Sequence, residues 1–458
     1  MQSRILKQLR SILGIARVSV SGADRQLHAQ DQSDYDQVLP DVVVWPQTTQ
    51  EVSEIVQLAN RYKVPVTAWG AGTSLEGNSI PVQKGIVIDF SHMAQIIDLH
   101  ERDLQVTVQA GVMYKDMNAI LAEHGLFFAP DPGANASIGG MIATNAAGPH
   151  TIKYGSTNEN VLALEVVLAN GEIIQTGSRS IKQAAGYNLT QLFAGSEGTL
   201  GLVTQATLKL EPIPKRKVTA TAVFNNIIEI ATAVSEIIGN GMQPAALELL
   251  DENTAQTLFT EADLDIPLGS SLLIEFSGNT AAWMEKQMEV AQIICEDHGC
   301  IQFNDAHSEE ESQRLWRARK QIRRFNVRKH PSHKWLITDV SVPISQFPKM
   351  VQFTADSVSK LNINCNILGH AGDGNLLIGV HYKPNDKKCA ESANRFKQMQ
   401  VSKAIGLGGT CAGEHGVGIG KRQYMVQEHG YPAITLMKQL KETLDPNNIL
   451  NPGKIFLN

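Results

Sequence analysis

The sequence predicts an α+β protein of two or three domains, and three observations carry that expectation. The chain has 458 residues, more than a single hydrophobic core commonly serves. Helical and strand periods alternate along most of its length instead of one kind dominating. Near 211–217 the run "EPIPKRK" sets two prolines beside a basic cluster, and the composition changes beyond it, as at a domain boundary.

The N-terminal "MQSRILKQLRSILG" places Ile5, Leu6, Leu9, Ile12 and Leu13 at helical spacing. It reads as a docked surface helix ending at Gly14, with a mitochondrial presequence as the alternative because the stretch is basic and amphipathic. "TTQEVSEIVQLANRYK" opens on a capping box, Thr48 to Glu51, and carries Val52, Ile55, Val56 and Ala59 on one face. Strands follow at "VPVTAWG", "GIVIDF" and "LQVTVQAGV", then a helix "YKDMNAILAEHG" that stops at Gly125. Glycine-rich turns dominate "PDPGANASIGGMIATNAAG" at 130–148 and open "AGSEGTLGLVTQATLKL" at 194–210. From 218 to about 425, helices such as "NIIEIATAVSEIIGNG" and "AAWMEKQMEVAQIICEDHG" alternate with strands "ALELLD", "SLLIEFSG" and "WLITDVSVPI". The tail "LKETLDPNNILNPGKIF" is a helix ended by Asp445-Pro446, then a Pro/Gly turn.

The bulk numbers exclude several classes. A hydrophobic fraction of 43% with 19% charged residues suits a soluble globular chain, and a net charge of −6 leaves no basic surplus for nucleic acid. No apolar run reaches the roughly 20 residues that span a bilayer. The odd count of five cysteines suits a reducing compartment, and they form no C-x-x-C pair and no recognisable haem or iron–sulfur ligand set. The expected location is cytoplasmic, with the periphery of a membrane as the alternative.

The run "WGAGTSLEGNSIP" at 69–81 is the first chemical signal. Glycine lets backbone N–H groups crowd around a phosphate. A P-loop is excluded because Asn78 stands where the lysine belongs. A Rossmann turn is excluded because Leu75 takes the place of the third glycine, and a proline and a β-branched run follow where a helix should begin.

Together the three glycine-rich segments resemble the FAD domain of the vanillyl-alcohol oxidase/PCMH-type flavoproteins. The second half, with "LWRARK", "TDVSVPI", "GHAGDGNL", "GGTCAGEHGVGIGKR" and "NPGKIF", is similar to the FAD-linked D-2-hydroxy-acid dehydrogenases. That family includes cytochrome-type D-lactate dehydrogenase, the FAD subunit of glycolate oxidase and D-2-hydroxyglutarate dehydrogenase. The resemblance implies a lead-in at 1–36, a two-subdomain PCMH-type FAD-binding domain at 37–214, an α+β substrate domain at 215–425 and a segment 426–458 that packs back on the FAD domain. It implies non-covalent FAD, held by Trp69, Gly70, Ala71, Gly72, Thr73, Ser74 and Leu75 around the pyrophosphate. Pro130, Asp131, Gly133, Ala134, Ser137, Ile138, Gly139, Gly140, Thr144, Asn145, Gly148, Tyr154 and Gly155 follow from the second segment and its continuation. Glu197, Gly198, Gly201, Val203 and Asn451 complete the implied cradle.

Oxidation of a 2-hydroxy acid needs a base, a cation for the carboxylate and a hydride acceptor. In "CAGEHGVG", His415 is the implied base, with Glu414 beside it. Arg319 and Lys334 align with the family's substrate-binding cations, and an arginine suits a carboxylate through its bidentate fork. The family's divalent metal, zinc or manganese, is held by a His, a second His seven residues on, and the Glu of the Glu-His pair. His370 and Glu414 are present here, but Leu377 stands at the second histidine, so the expected metal is weak or absent. His381 lies four residues further, roughly 13 Å along a strand, too far to substitute. Trp316, Arg319 and Arg323 share a helical face, so Arg323 is a candidate to supply the missing positive charge or to hold a second carboxylate. The implied partners are a small 2-hydroxy acid and an external electron acceptor: a quinone, a cytochrome or an electron-transfer flavoprotein. A homodimer or a subunit of a larger complex both fit. The other readings are a flavin-binding relay subunit and an oxidase that uses O₂.

Overall fold

The computed structural model describes residues 3–264, 267–306 and 308–457. They form two compact units, one of 1–147, 155–213 and 414–458, the other of 148–154 and 214–413.

In the first unit the N-terminal helix Ser3–Leu13 buries Ile5, Leu9 and Leu13 and ends at Gly14, whose φ of 82° suits only glycine comfortably. Helix Thr49–Tyr62 starts where the hydroxyl of Thr48 accepts the Glu51 N–H at 3.2 Å. The Glu51 carboxylate itself accepts the Gln47 N–H and pairs with Arg17 through two bonds of 2.7 Å. Both helices pack on a sheet ordered Val18–Ser19, Val42–Val44, Ile86–Asp89, Val66–Trp69, in which the last three strands are parallel. Val42–Val44 and residues 86–88 are continuous β-branched runs because both faces are covered.

A second sheet of the same unit is wholly antiparallel, ordered Ile96–His100, Gln105–Gln109, Leu202–Lys209, Val161–Val167, Ile173–Gly177. Its core gathers Val106, Val108, Leu164, Val166, Ala206 and Leu208 against helices Tyr114–Ala122 and Ile138–Thr144. Residues 414–458 return to this unit: Asn451 N–H donates to the Val66 carbonyl, beside a parallel bridge between Val66 and Leu450.

The second unit is one seven-stranded sheet, ordered Cys300–Asp305, Arg216–Phe224, Ser270–Gly278, Ala246–Leu250, Cys365–His370, Asn375–Tyr382, Lys334–Ser341, with every pair antiparallel. Helices Glu252–Ala262 and Glu309–Lys329 cover one face through Leu258, Phe259, Leu315, Trp316, Ile322 and Phe325. The register puts Glu248 opposite His370, Leu368 opposite Leu377 and Leu377 opposite Asp339. Since opposed residues share a face, these polar groups lie on the same side as the Leu250, Leu273 and Leu368 packing. Among the described residues no helix is long and apolar enough to cross a membrane.

Candidate functional site

The first unit holds a cavity of about 200 Å³, and its walls come from all the glycine-rich segments of that unit. Strand Val66–Trp69 delivers the loop from Gly70 to Leu75 into it. A Cβ at Gly70 would sit 2.2 Å from the Ser137 hydroxyl oxygen, and one at Gly72 would stand 2.5 Å from the Trp69 ring. Gly72 also has φ +65°, so both the space and the backbone here require glycine.

The second segment departs from a simple turn. Helix Ile138–Thr144 lies within it, started by Ser137, whose hydroxyl accepts the Gly140 N–H at 3.2 Å, and ended by Asn145 at φ 51°. Ser137, Gly139, Gly140 and Thr144 reach the cavity, while Ile138 turns into the core and Asn145 accepts the Asn158 N–H at 2.8 Å.

Glu197 ties the third segment to the rest. It is buried at φ 54°, and its carboxylate accepts from Asn78 Nδ2 and Val417 N at 2.7 Å each and from Gly418 N at 3.0 Å. Burial pushes this carboxyl above the ordinary value, against the pull of the Val417, Asn78 and Gly418 donors and of the Lys454 ammonium. Asn451 Nδ2 donates to the carbonyls of Asn78 at 3.0 Å and Glu197 at 2.8 Å. Lys454 donates to the carbonyls of Asn78 and Ile80, and its burial lowers its pKa to about 8. Asn78 thus knits loop, third segment and C-terminal segment, and it also donates to the His415 carbonyl at 3.3 Å.

Of the residues expected at the cofactor, Trp69 to Leu75, Gly133, Ala134, Glu197, Gly198, Gly201, Val203 and Asn451 line the cavity with the four of the short helix. Pro130, Asp131, Ile138, Asn145 and Gly155 belong to the same unit without lining it, and Gly148 and Tyr154 belong to the second unit. Asn78 and Ser79 line it unannounced; a polar residue after a glycine turn was the one available signal. Glu414 and His415 are also in its wall, with Glu414 Oε1 3.6 Å from His415 Nε2.

The cavity fits a phosphate-bearing flavin on its own chemistry. Ser79 Oγ is buried with no hydrogen-bond partner among the described residues, a donor placed for an absent acceptor. Glycine, alanine and hydroxyl residues make up much of the wall and let a planar ring and a pyrophosphate come close to the backbone, while Trp69, Phe90, Met141, Phe193 and Leu202 add apolar surface.

In the second unit Arg319 is buried on helix Glu309–Lys329 and forms an ion pair with Glu248, which is fully buried. The other oxygen of Glu248 lies 2.6 Å from His370 Nδ1. Burial would raise the Glu248 carboxyl, but Arg319 and His370 hold it below the ordinary range. Arg319 Nε and Trp316 Nε1 are buried without hydrogen-bond partners among the described residues. Arg323 is half-buried one turn on, and Lys334 is exposed at the start of its strand. His370 and Glu414, the two residues implied for a metal, belong to different units. Leu377 shares the sheet face with His370, so an isobutyl group fills the register slot of the implied second histidine. Glu248 was not foreseen, because one carboxylate inside "ALELLD" looks like an ordinary strand residue.

Residues 213–455 match the family described as "FAD linked oxidases, C-terminal domain", and residues 40–177 match "FAD binding domain". A probable mitochondrial D-lactate dehydrogenase of Danio rerio is 40% identical over 99% of this chain and 92% of its own length. Glycolate oxidase subunit GlcD of Bacillus subtilis is 39% identical over 99% of this chain and 96% of its own. Among solved structures, p-cresol methylhydroxylase with substrate bound shares the fold, with a TM-score of 0.80 at 18% identity, covering 99% of this chain and 96% of that one. The chain belongs to the FAD-linked oxidases and is an FAD-dependent oxidoreductase.

Proposed function

We propose that this enzyme oxidises a D-2-hydroxy acid, D-lactate or glycolate foremost, to the 2-oxo acid and passes the electrons to an external acceptor. The observation that carries the proposal is the presence of Glu414 and His415 in the wall of the flavin cavity. The names of the full-length relatives, D-lactate dehydrogenase and glycolate oxidase subunit, support the substrate class.

Bound FAD supplies the acceptor for the hydride that leaves the substrate carbon. An imidazole nitrogen of His415 takes the hydroxyl proton, and Glu414 at 3.6 Å favours the cation so formed. The backbone of His415 is pinned by Asn78, which fixes the ring's origin against the cavity. Arg319 is the proposed partner of the substrate carboxylate, supported by its buried Nε, which has no hydrogen-bond partner among the described residues, with Lys334, Arg323 and His370 as further candidates. The acceptor is a quinone, a cytochrome or an electron-transfer flavoprotein, since the chain carries no haem or iron–sulfur motif of its own.

His415→Asn should keep its flavin and slow flavin reduction by roughly 10²-fold or more, the usual worth of general-base catalysis. Reduction at the wild-type rate would remove His415 from the chemistry. A relay subunit with no chemistry of its own is the second reading, favoured by Leu377 in the implied metal set. It requires that the isolated chain fail to reduce its flavin with any 2-hydroxy acid while still accepting electrons from a partner. Mixing reduced enzyme with O₂ or with a quinone separates an oxidase from a dehydrogenase.

A further inference from the structure

Away from the flavin cavity, three histidines of the second unit converge. His330 caps the C-terminal end of helix Glu309–Lys329, and the turn after it closes through the His333 N–H to the His330 carbonyl at 3.1 Å. His381 comes from strand Asn375–Tyr382, where it stands opposite Trp335 on the sheet's edge strand. The His330 and His381 rings are 4.3 Å apart, the His330 and His333 rings 5.0 Å, and the His333 and His381 rings 5.2 Å. One ring nitrogen from each can be chosen so that all three lie within 4.8 Å of one another. His333 Nδ1 and His381 Nδ1 are already 3.0 Å apart.

We propose that His330, His333 and His381 bind one borderline transition-metal dication, of the zinc, cobalt or nickel class, at a site separate from the flavin chemistry. Three imidazoles without a thiolate or carboxylate make a nitrogen set that suits these ions. Nitrogen ligands of a tetrahedral zinc stand roughly 3.3 Å apart, given Zn–N distances of about 2.0–2.1 Å. The His333–His381 pair is near that spacing, and a bound ion requires the three stacked rings to turn so that one nitrogen of each faces it.

All three rings are half-buried, with Trp335 against His381 at 4.8 Å. Burial and the neighbouring histidines hold His381 low, at about 4, and burial with His333 and Lys329 lowers His330. Imidazole coordinates a metal in its neutral form, so binding competes with protonation. Lys329 does not occupy the cluster: its ammonium donates to Thr257 Oγ1 at 2.7 Å.

Three protein ligands leave a fourth position for water or a small ligand. The ion would tie the end of helix Glu309–Lys329 and the turn after it to strand Asn375–Tyr382. Its ligands are not those implied near the substrate. His381 is four residues from Leu377, about 13 Å along the strand.

The test uses the full flavin-loaded chain, made without a polyhistidine tag and stripped with a chelator. Zn²⁺ is titrated calorimetrically, and Co²⁺ is followed by its visible absorption. The proposal expects one ion per chain and an increase in melting temperature on adding Zn²⁺. It expects a loss of affinity of about tenfold or more in each of His330→Ala, His333→Ala and His381→Ala. His370→Ala should keep this binding, which distinguishes the cluster from a metal near the substrate. His381→Ala should retain metal-free flavin reduction. If His381→Ala does not fold, His333→Gln on the turn replaces it in the comparison. No binding at large molar excess of Zn²⁺, or equal binding and equal melting shifts in all three alanine variants, would overturn the proposal.

Discussion

Replacing Glu248 by glutamine tests the buried triad of the second unit. In the wild type one carboxylate serves two partners: Oε1 meets His370 Nδ1 at 2.6 Å and Oε2 meets the Arg319 guanidinium. Glu248 is fully buried and Arg319 is 6% exposed, so neither water nor salt can substitute for the lost charge. Removing one partner of a buried ion pair costs about 3–5 kcal/mol, because the other charge stays desolvated. For a folding unit of this size about 1 kcal/mol corresponds to roughly 2–4 °C, so the melting temperature of the second unit should fall by about 6–20 °C. The Glu248 carboxyl is held below its ordinary value of 4.5, so its contribution is fully present above about that pH. It is lost as the pH falls through the lower folded-state value. The difference between wild type and Glu248→Gln should therefore shrink in acid. Differential scanning calorimetry at a series of pH values reads both effects. Substrate affinity should fall as well, since Glu248 orients Arg319. A variant that melts within about 2 °C of wild type, at every pH, would refute the reasoning.

Gly72→Ala should weaken FAD binding by about tenfold or more, because a Cβ at φ +65° carries strain of order 1–3 kcal/mol and meets the Trp69 ring; dilution with flavin fluorescence measures it. Asp251 caps helix Glu252–Ala262 by accepting the Thr254 N–H, and burial raises its pKa to about 6 from 3.8. The folded state thus binds this proton more tightly than the unfolded chain, and stability falls as pH rises through that window. Asp251→Asn, which keeps the cap, should be more stable than wild type by about 1–3 kcal/mol above pH 6 and no more stable below the ordinary carboxyl value. Acid precipitation should release all flavin into the supernatant, because none of the three glycine-rich segments contains a histidine or cysteine to link it. Yellow colour kept in the pellet would contradict that.

Much of this architecture was legible because it rests on local periodicity and on glycine. The helix over Thr49–Tyr62 follows from Val52, Ile55, Val56 and Ala59 on one face, and the strand Ile86–Asp89 from its β-branched run. The loop from Gly70 to Leu75 was visible because close backbone approach requires glycine whatever the surrounding fold. The helix Ile138–Thr144 was hidden because its two glycines and short length look like a turn, while the stabilising Ser137 cap and core contacts are tertiary facts. Asn78 was read only as a missing lysine, although it is the donor that joins Glu197 to His415 across more than a hundred residues of sequence. Glu248 meets His370 only through strand pairing, at a separation of 122 residues, which no local pattern encodes.

Anaerobic mixing of the purified yellow protein with paired D- and L-2-hydroxy acids, including lactate, and with glycolate tests the central claim most directly. The account predicts that a D-2-hydroxy acid or glycolate bleaches the flavin's visible band, with one 2-oxo acid formed per flavin reduced, and that L-lactate leaves the band unchanged. A flavin that stays oxidised with every D-2-hydroxy acid and with glycolate, in protein that carries its full complement of FAD, would contradict it.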